Sequence, residues 1–200
     1  MPTAISTRRR WRKLRKIMYC ETEDLIIRDS VLEDVDRFYQ WETWPEVTEF
    51  FSISKYQTRE DVYDKFFKDK NDETAAQFTI LLKREGDDPL MIGRVVLGDL
   101  IPGWKGEIWR IYIADKSLRN RGYGYQALKA VMDYMFGELE MERVYLDFYT
   151  GNPAEFLYLK AGFTEEGVLR RNCRKDGVLH DVHLMSILRE EYERMRKARA

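Results

Sequence analysis

The sequence predicts a single domain of mixed α/β fold. Strand-like segments near 76–83, 90–98 and 107–113 follow one another with only turns between them, which indicates antiparallel hairpins. After residue 107, strands alternate with helices, which is typical of parallel or mixed pairing. The 200 residues are 44% apolar and 14% aromatic, so the chain is globular and long enough to bury a substantial core.

The first third of the chain is predicted to hold one strand and two helices. Residues 25–28 form a short apolar strand bounded by polar residues. Ser30, with Glu33 three residues later, is a capping-box pattern that begins a helix over 31–41. Thr58 is the N-cap of the second helix.

Turn residues separate the central strands. Asp87-Asp88-Pro89 predicts the turn before strand 90–98, and Pro102-Gly103 predicts the next turn. The elements predicted for the second half are helix 123–136, strand 144–149, helix 153–161, strands near 163–170 and 178–187, and a helical tail 188–198. We find no repeat, low-complexity run or interdomain linker.

Charge divides the chain into a basic arm and an acidic body. Residues 1–17 carry seven Lys or Arg and no acid, whereas the remainder has 27 basic and 35 acidic residues, a net charge of −8. Three interpretations of the arm stay open: a disordered basic tail that binds RNA or another polyanion, an amphipathic segment that docks on the body, or a non-native extension upstream of a true start at Met18. An organellar transit peptide is a fourth alternative. A nucleic-acid partner is expected only if the arm is native.

The sequence gives no signal for membranes or secretion. Its apolar runs are shorter than the roughly 18–20 residues that cross a bilayer, and no secretory signal pattern is present. Cys20 and Cys173 form neither a disulfide framework nor a metal-binding motif. We therefore expect a cytoplasmic protein without a membrane partner.

The most informative motif is a glycine-bearing turn, Arg119-Asn120-Arg121-Gly122-Tyr123-Gly124, between a strand and a helix. Such a turn exposes backbone N–H groups at the positive end of the helix dipole, where a phosphate or pyrophosphate binds. Glycine lets the backbone turn and approach a ligand closely. The motif differs from both G-x-x-x-x-G-K-[ST] and G-x-G-x-x-G. On the turn alone, an ordinary strand-to-helix connection is an equal alternative.

A second segment, from Asn152 to Phe163, has the pattern of a short helix between two strands. Asn152 is a candidate N-cap, and Pro153 stands near the first helical position, where its missing N–H costs little. Gly162 stands where the helix should stop, and Phe163 begins the next strand.

Taken in order, these segments resemble those of the GNAT superfamily of N-acetyltransferases. The glycine turn is similar to the family's acetyl-CoA pyrophosphate loop, Arg/Gln-x-x-Gly-x-Gly/Ala, and residues 152–163 are similar to its Asn-x-x-Ala-x-x-x-Tyr-x-x-x-Gly-Phe segment. A Glu-Gly-x-Leu-Arg strand at 166–170, the Asp176-Gly177 turn and a closing Asp-x-x-x-Met-Ser-x-Leu-x-x-Glu-Tyr at 181–192 resemble one branch of that superfamily. The branch contains ribosomal-protein N-terminal acetyltransferases and spermidine N-acetyltransferases.

This resemblance implies one GNAT-type domain over 18–200, with a mixed, mostly antiparallel twisted sheet of about seven strands flanked by helices. It implies acetyl-CoA as co-substrate, no metal, and a homodimer. In the family, the strand before the loop splays from its neighbour and its free backbone groups bind pantetheine. The residues expected to bind acetyl-CoA are Ile111, Tyr112, Ile113, Arg119, Arg121, Gly122, Tyr123, Gly124, Tyr125 and Asn152. The last of these stands one residue later than the family's asparagine.

The resemblance also implies two catalytic residues. Tyr158, four residues before the glycine of its motif, is the expected general acid for the departing thiolate, since a phenol with a pKa near 10 can protonate a thiolate whose pKa is near 8.5. Glu107, which begins the strand before the loop, is the expected general base. Other candidates for the base are His180, His183, Asp147 and Asp181. No residues have metal-ligand spacing, and no Ser/His/Asp arrangement is legible.

The predicted function is transfer of the acetyl group of acetyl-CoA to a primary amine by direct attack in a ternary complex. The acidic body favours a cationic acceptor, which is a polyamine, a peptide N-terminus or another cationic small molecule. The alternative belongs to a different functional class. It is a non-catalytic acyl-CoA-binding module, or an RNA- or ribosome-associated module that uses the basic arm.

Overall fold

The computed structural model describes residues 18–199, so the arm 1–17 lies outside the described residues. Across this range the chain forms one eight-stranded sheet with six α-helices packed on its two faces. The strands are β1 (Tyr19–Glu21), β2 (Leu25–Asp29), β3 (Ala76–Arg84), β4 (Asp87–Ile101), β5 (Lys105–Ile113), β6 (Arg143–Tyr149), β7 (Thr164–Lys175) and β8 (Val178–Leu188). The helices are α1 (Val35–Trp41), α2 (Pro45–Thr48), α3 (Arg59–Asn71), α4 (Tyr123–Asp133), α5 (Glu155–Lys160) and α6 (Arg189–Arg199).

The sheet has the strand order β1-β2-β3-β4-β5-β6-β8-β7. Every neighbouring pair is antiparallel except β5 and β6, which are parallel. The parallel pair is possible because α4 carries the chain back between the two strands. The predicted mixed, mostly antiparallel sheet flanked by helices is therefore confirmed, and the short β1 brings the number of strands to eight.

Apolar side chains bury both faces of the sheet. On one face, α4 packs Leu128 and Val131 against strand residues such as Leu146 and Phe148. On the other face, α1 and α3 enclose a smaller cluster, which consists of Val35, Phe38, Trp41, Val47, Val62, Phe66, Tyr112 and Ala114. We call the two faces of the sheet the α4 face and the α1–α3 face, and each strand residue has its side chain on one or the other. None of the helices in 18–199 combines the length and the apolar character needed to span a membrane.

The predicted cap of the first helix was wrong. The Ser30 hydroxyl hydrogen-bonds to Thr79 at 2.9 Å instead of capping the helix. Asp34 takes that place, because its Oδ2 accepts the Val31 N–H at 3.0 Å and closes a short 3-10 turn that precedes α1. The aspartate is held by a salt bridge from Arg28 at 2.7 Å, a partner that is close only because β2 lies beside it.

The turn before β4 was also placed too late. Glu85 and Gly86 form the turn, and β4 already begins at Asp87, which pairs with Arg84. Gly86 has a φ of +75°, and a glycine there satisfies the turn without strain. Other local predictions are confirmed. Thr58 caps α3 in a capping box, and the hairpin between β7 and β8 turns at residues 176 and 177.

Candidate active site

The strands β5 and β6 separate from one another after a short paired stretch. Their parallel pairing consists of Lys105 with Arg143, Gly106 with Val144 and Glu107 with Tyr145. Beyond these pairs, in the described part of the chain, the facing edges of the two strands make no ladder. The result is a wedge with Glu107 at its vertex, open towards the carboxyl ends of both strands.

A β-bulge at Trp109 accompanies this separation. Leu97 of β4 pairs with Ile108 and Val96 pairs with Arg110, so Trp109 is an extra residue in β5. An extra residue bends its strand and increases the local twist. The indole lies over Gly98, where a Cβ would stand 1.9 Å from a ring carbon, so glycine is required beneath the bulge. The bulge lies two residues beyond Glu107, the last residue of β5 that pairs with β6.

The glycine turn lies at the open end of the wedge and begins α4. Gly122 is the N-cap of the helix, with a left-handed φ of +87°. The first backbone hydrogen bond of the helix runs from the Gln126 N–H to the Gly122 carbonyl. The N–H groups of Tyr123 and Gly124, which precede Gln126 in the first turn, therefore have no partner within the helix. This arrangement suits a diphosphate.

The two arginines of the turn differ in their environments. The Arg119 guanidinium donates to the carbonyls of Ile113 at 2.9 Å, Ala114 at 3.0 Å and Glu46 at 3.0 Å. These hydrogen bonds connect the loop to the end of β5 and to α2. Burial lowers the pKa of the Arg119 guanidinium. Arg121 is exposed beside the turn. Of the two, Arg121 has the geometry to contribute charge to a bound phosphate.

The end of β5 presents backbone to the wedge while its side chains pack. Tyr112 is buried on the α1–α3 face, where its ring meets Trp41 edge-on with centroids 6.1 Å apart. Ile113 is buried on the α4 face, and Ile111 packs against the same core. Any role of these three residues in ligand binding therefore belongs to their main chain, as the resemblance implied.

Glu107 occupies the vertex of the wedge in an acidic setting. Partial burial, Asp147 and Asp99 raise its pKa to about 7. The Trp109 indole N–H donates to its Oε2 at 3.2 Å. Asp147 lies two residues beyond the last paired residue of β6, and its own pKa is raised by desolvation. A carboxyl group that titrates near neutral pH can accept a proton from a nearby ammonium ion.

Tyr158 lies on α5, on the α4 face of the sheet. Its ring packs against Phe148 and Phe163, with centroids 5.6 Å and 6.1 Å away. Burial, with a contribution from Asp147, raises its pKa. The contact with Phe148 places this tyrosine beside the wedge, since Phe148 stands on the diverging part of β6. The tyrosine is both a packing residue and a phenol that stays protonated at neutral pH.

Asn152 acts locally as a cap. Its Oδ1 accepts the Ala154 N–H at 2.9 Å, and its own N–H donates to Tyr149. The helix α5 begins only at Glu155, two residues later than its predicted start. Gly151 before it has a φ of +86°. The segment between β6 and α5 thus forms a turn that Asn152 stabilises.

The two histidines lie on opposite faces of β8. His183 stacks on Phe148 on the α4 face, and its two ring nitrogens contact Glu165 at 2.7 Å and Thr150 at 3.0 Å. His180 stacks on Tyr149 with centroids 4.5 Å apart. Asp181 accepts the Arg171 N–H at 2.7 Å. Of the alternative bases, Asp147 is therefore the one whose charge raises the pKa of Glu107.

A broad groove of about 710 Å³ opens on the α1–α3 face. Its walls come from the segment between α1 and α3 and from the hairpin of β7 and β8; they include Glu42, Glu46, Glu49, Ile53, Gln57, Lys116, Lys175, Asp176 and His180. The Lys175 ammonium donates to the Thr48 carbonyl at 2.5 Å and joins the two walls. The groove shares its face of the sheet with the Tyr112 side chain.

Beneath the groove lies a charged network that the sequence analysis missed. Glu42 Oε1 accepts from Arg94 at 2.8 Å, from Arg110 at 2.6 Å and from the Tyr112 hydroxyl at 3.4 Å. Arg94 is 1% exposed and also donates to Gln77. A lone arginine in the apolar run of β4 was the available signal, because a buried cation requires a partner. Its partner is 52 residues away in the chain.

Within 18–199, no group of three or more His, Cys, Asp or Glu side chains is placed to hold a metal ion.

Comparison with known proteins identifies the family. The acetyltransferase (GNAT) domain model matches residues 24–164. The chain is 33% identical over 107 residues to a probable N-acetyltransferase, YjcK of Bacillus subtilis, a match that covers 53% of this chain and 59% of that protein. It is 27% identical over 138 residues to the spermidine N(1)-acetyltransferase of Vibrio cholerae, covering 68% and 77% of the two chains.

The fold agrees with this assignment. The crystal structure of spermidine N-acetyltransferase from Vibrio cholerae, in complex with CoA and spermine, superposes with a TM-score of 0.74 at 23% identity, over 86% of this chain and 99% of that one. The family match, the wedge and the glycine turn all agree with the resemblance drawn from the sequence motifs. The chain belongs to the GNAT family of acetyltransferases and is an enzyme of the N-acetyltransferase class.

Proposed function

We propose that this enzyme transfers the acetyl group of acetyl-CoA to a primary amine by direct attack in a ternary complex. The observation that carries the proposal is the wedge between β5 and β6, which has the N-terminus of α4 at its open end and Glu107 at its vertex. A thioester held along such a wedge lies between a phosphate site and a base. Fixing both reactants in this way supplies a large part of the rate acceleration.

The loop and the strand before it hold the co-substrate. The N–H groups of Tyr123, Gly124 and Tyr125 point to the diphosphate, and Arg121 adds charge. The main chain of β5 from Ile111 to Ile113 faces the wedge and binds the pantetheine arm and the acetyl carbonyl. Asn152 supports the far side of the site by shaping the turn before α5. A backbone hydrogen bond to the acetyl oxygen would polarise the carbonyl.

Two side chains move the protons. Glu107 takes a proton from the acceptor ammonium group, directly or through a water molecule, which frees the nitrogen to form the new C–N bond. As the C–S bond breaks, Tyr158 hydrogen-bonds to the leaving sulfur and gives it a proton. The second proton that the nitrogen loses as it becomes the amide returns to the phenolate, so the products are the amide, CoA and one proton on Glu107. The raised pKa of Tyr158 keeps the phenol protonated until the thiolate develops. The same shift makes it a weaker acid, so hydrogen bonding contributes along with the transfer.

The acceptor enters through the groove on the α1–α3 face. We propose a cationic amine for this position: a polyamine, a peptide N-terminus or another cationic small molecule. Glu46 and Glu49 line the groove, and the body carries a net charge of −8, which attracts cations. Relatives that act on spermidine are consistent with an amine of this class.

Calorimetric titration with acetyl-CoA, desulfo-CoA and ATP tests the first half of this proposal. We expect one site per chain for acetyl-CoA and desulfo-CoA, and no comparable binding of ATP, because only the CoA compounds carry the pantetheine arm. The second half requires an amine screen that compares polyamines with basic peptides. Failure of the folded protein to bind acetyl-CoA would contradict the proposal and favour the non-catalytic alternative.

A further inference from the structure

Two side chains of opposite charge are neighbours along β5 on the same face of the sheet. Gly98 of β4 pairs with Glu107 and Val96 pairs with Arg110, while Trp109 is the extra residue of the bulge. The two partners on β4 are two positions apart, so Glu107 and Arg110 project to the same side. Two positions along a strand correspond to about 7 Å between Cα atoms.

The end of this pair at Glu107 is negative. Besides burial, the charges of Asp147 and Asp99 raise the pKa of Glu107 to about 7, so three carboxyl groups meet near the vertex of the wedge. An ammonium group is attracted to such a place, because it interacts favourably with each carboxylate. This end suits the amine of the acceptor.

The end at Arg110 has an excess of positive charge. Arg110 and Arg94 donate to the same oxygen of Glu42, at 2.6 Å and 2.8 Å, so two guanidinium groups share one buried carboxylate. The other side chains that hydrogen-bond to Glu42 and Arg94 are uncharged, namely Gln57, Gln77 and Tyr112. Two cations and one anion leave this cluster with a net positive charge.

Arg110 has free donors with which to bind an anion. In the part of the chain that the structure describes, the contact with Glu42 is the one hydrogen bond of its guanidinium. Its side chain is 13% exposed, whereas that of Arg94 is 1% exposed and has a buried Nε without a partner. Glu42 itself lines the groove on the α1–α3 face. The donors that Arg110 has left therefore lie at the floor of that groove, within reach of a ligand.

Together the two ends fit an acceptor that carries an amine and a carboxylate. An arginine with unused donors forms short, charge-assisted hydrogen bonds to a carboxylate. A second ammonium group at this position would instead meet the excess positive charge, and juxtaposed like charges oppose binding. The lining of the groove is also not uniformly acidic, since it includes three lysines, Lys55, Lys116 and Lys175.

We propose that Arg110 binds a carboxylate of the acceptor, about 7 Å from the amine that is acetylated. The inference rests on the proposed function, because it takes the amine to lie at Glu107. It specifies the acceptor further, as an amine that also carries a carboxylate. Two sources share this chemistry: a small amino acid with separated amine and carboxylate groups, and a peptide N-terminus that is followed by an acidic residue.

Steady-state acetylation of matched acceptors by the wild-type protein tests the proposal. The compounds δ-aminovalerate, δ-aminovaleramide and cadaverine have similar lengths and end in a carboxylate, an amide and an ammonium group. Peptides that begin Ser-Asp and Ser-Asn, both with amidated carboxyl ends, form a second set. We expect kcat/KM to be about 10-fold higher for the carboxylate member of at least one set, the value of one charge-assisted contact. The set that shows the preference identifies the source.

Two variants connect this preference to Arg110. Arg110→Gln should raise KM for the carboxylate acceptor about 10-fold and leave KM for the matched amide unchanged. Arg110→Lys, which keeps the charge, should retain part of the preference. Glu42 keeps Arg94 as its counter-ion in both variants, so they should fold, which thermal melting will verify. Arg37→Gln, on the exposed side of α1, is the matched control and should keep the full preference.

Equal kcat/KM for carboxylate and amide acceptors in both sets would overturn the inference, and this comparison needs no variant. An equal loss for both members of a set in Arg110→Gln would also overturn it, because the arginine would then have a structural role alone. Either result leaves acetyl transfer to amines intact, so the proposed function survives. Absence of transfer to every amine tested would refute the proposed function together with this inference.

Discussion

Two side chains near the wedge, Glu107 and Tyr158, are assigned opposite proton transfers because their surroundings differ. Glu107 is partly buried and stands near other carboxylates, so burial and then their charges oppose its ionisation and raise its pKa to about 7. Tyr158 is enclosed by aromatic rings, which exclude water and raise the pKa of the phenol. At neutral pH the first group is therefore poised to accept a proton and the second keeps its own.

Glu107→Gln should remove the base. The wild-type rate should rise as the pH increases through about 7, as the carboxyl group loses its proton. The variant should lose this dependence and about 100-fold of kcat/KM at pH 8, within the usual contribution of a general base. A pH–rate profile measures both. Glu23→Gln, in an exposed turn, is the control.

The same variant has a second readout in stability. The raised pKa means that the folded protein holds this proton more tightly than the unfolded chain, so Glu107 lowers stability as the pH rises from 4.5 to about 7. Glu107→Gln should therefore melt at a higher temperature than the wild type at pH 8, and at the same temperature at pH 4. An unchanged melting temperature at pH 8 would show that the carboxylate is well solvated.

Tyr158→Phe should lower kcat by about 100-fold, because the leaving thiolate loses its hydrogen-bond donor. The affinity for acetyl-CoA should change by less than about 2-fold, since the ring and its packing remain. Steady-state kinetics and calorimetry separate the two effects. Tyr134→Phe removes a hydroxyl from another buried tyrosine and should keep kcat. Unchanged kcat in Tyr158→Phe would leave the residue a packing role alone.

Among the elements, the start of α4 has the strictest backbone requirement in the site. Gly122 adopts a left-handed φ of +87°, and a Cβ there would meet nothing within 4 Å. The need for glycine is therefore conformational and not a matter of space. A residue with a side chain would strain the turn or shift the N–H groups that follow.

Gly122→Ala should lower the free energy of unfolding by about 1–2 kcal/mol and weaken acetyl-CoA binding. Gly137→Ala is the matched control. Gly137 has space for a Cβ and lies in the π-helical turn after α4, without a left-handed φ. The Gly137→Ala substitution should leave the free energy of unfolding unchanged or raise it by up to about 1 kcal/mol. Urea unfolding and calorimetry measure the pair, and equal stability of the two variants would contradict the argument.

At the scale of the whole molecule, one buried carboxylate links four elements. Glu42, which directly follows α1, accepts from Arg94 on β4 and from Arg110 and Tyr112 on β5, and its Oε2 accepts from Gln57 before α3. The two arginines hold its pKa below the ordinary value despite burial. The network joins the floor of the groove to the sheet.

Glu42→Ala should lower the free energy of unfolding by about 3–5 kcal/mol, because it leaves Arg94 buried without its counter-ion. The wild-type contribution is present above pH 4.5, the ordinary carboxyl pKa, and is lost as the pH falls through the lower folded-state value. Urea unfolding at pH 7 and at acid pH measures both effects. The control variant Glu23→Ala should leave the free energy of unfolding unchanged. A loss in this control as large as that in Glu42→Ala would argue against the network.

Sequence patterns by themselves determined the elements whose signals are local. The glycine turn opens α4, Thr58 caps α3, and the residues at 176 and 177 turn the last hairpin, because each depends on residues a few positions apart. The motifs also indicated the family, which the family model confirmed. Local patterns gave a wrong prediction where a residue distant in sequence competed for a contact. Ser30 has the pattern of an N-cap, but its hydroxyl hydrogen-bonds to Thr79 instead.

Only the tertiary structure decided how charges and surfaces combine. The pKa of Glu107 is raised by its burial and by Asp147 on β6 and Asp99 on β4, which strand pairing brings to one vertex. Glu42 meets Arg94 and Arg110 across 52 and 68 residues of sequence. The bulge at Trp109 lies where β5 separates from β6, and α6 forms one wall of a cavity against α4. Such features depend on which strands become neighbours, and that choice is made by burial of the whole core and not by any local pattern.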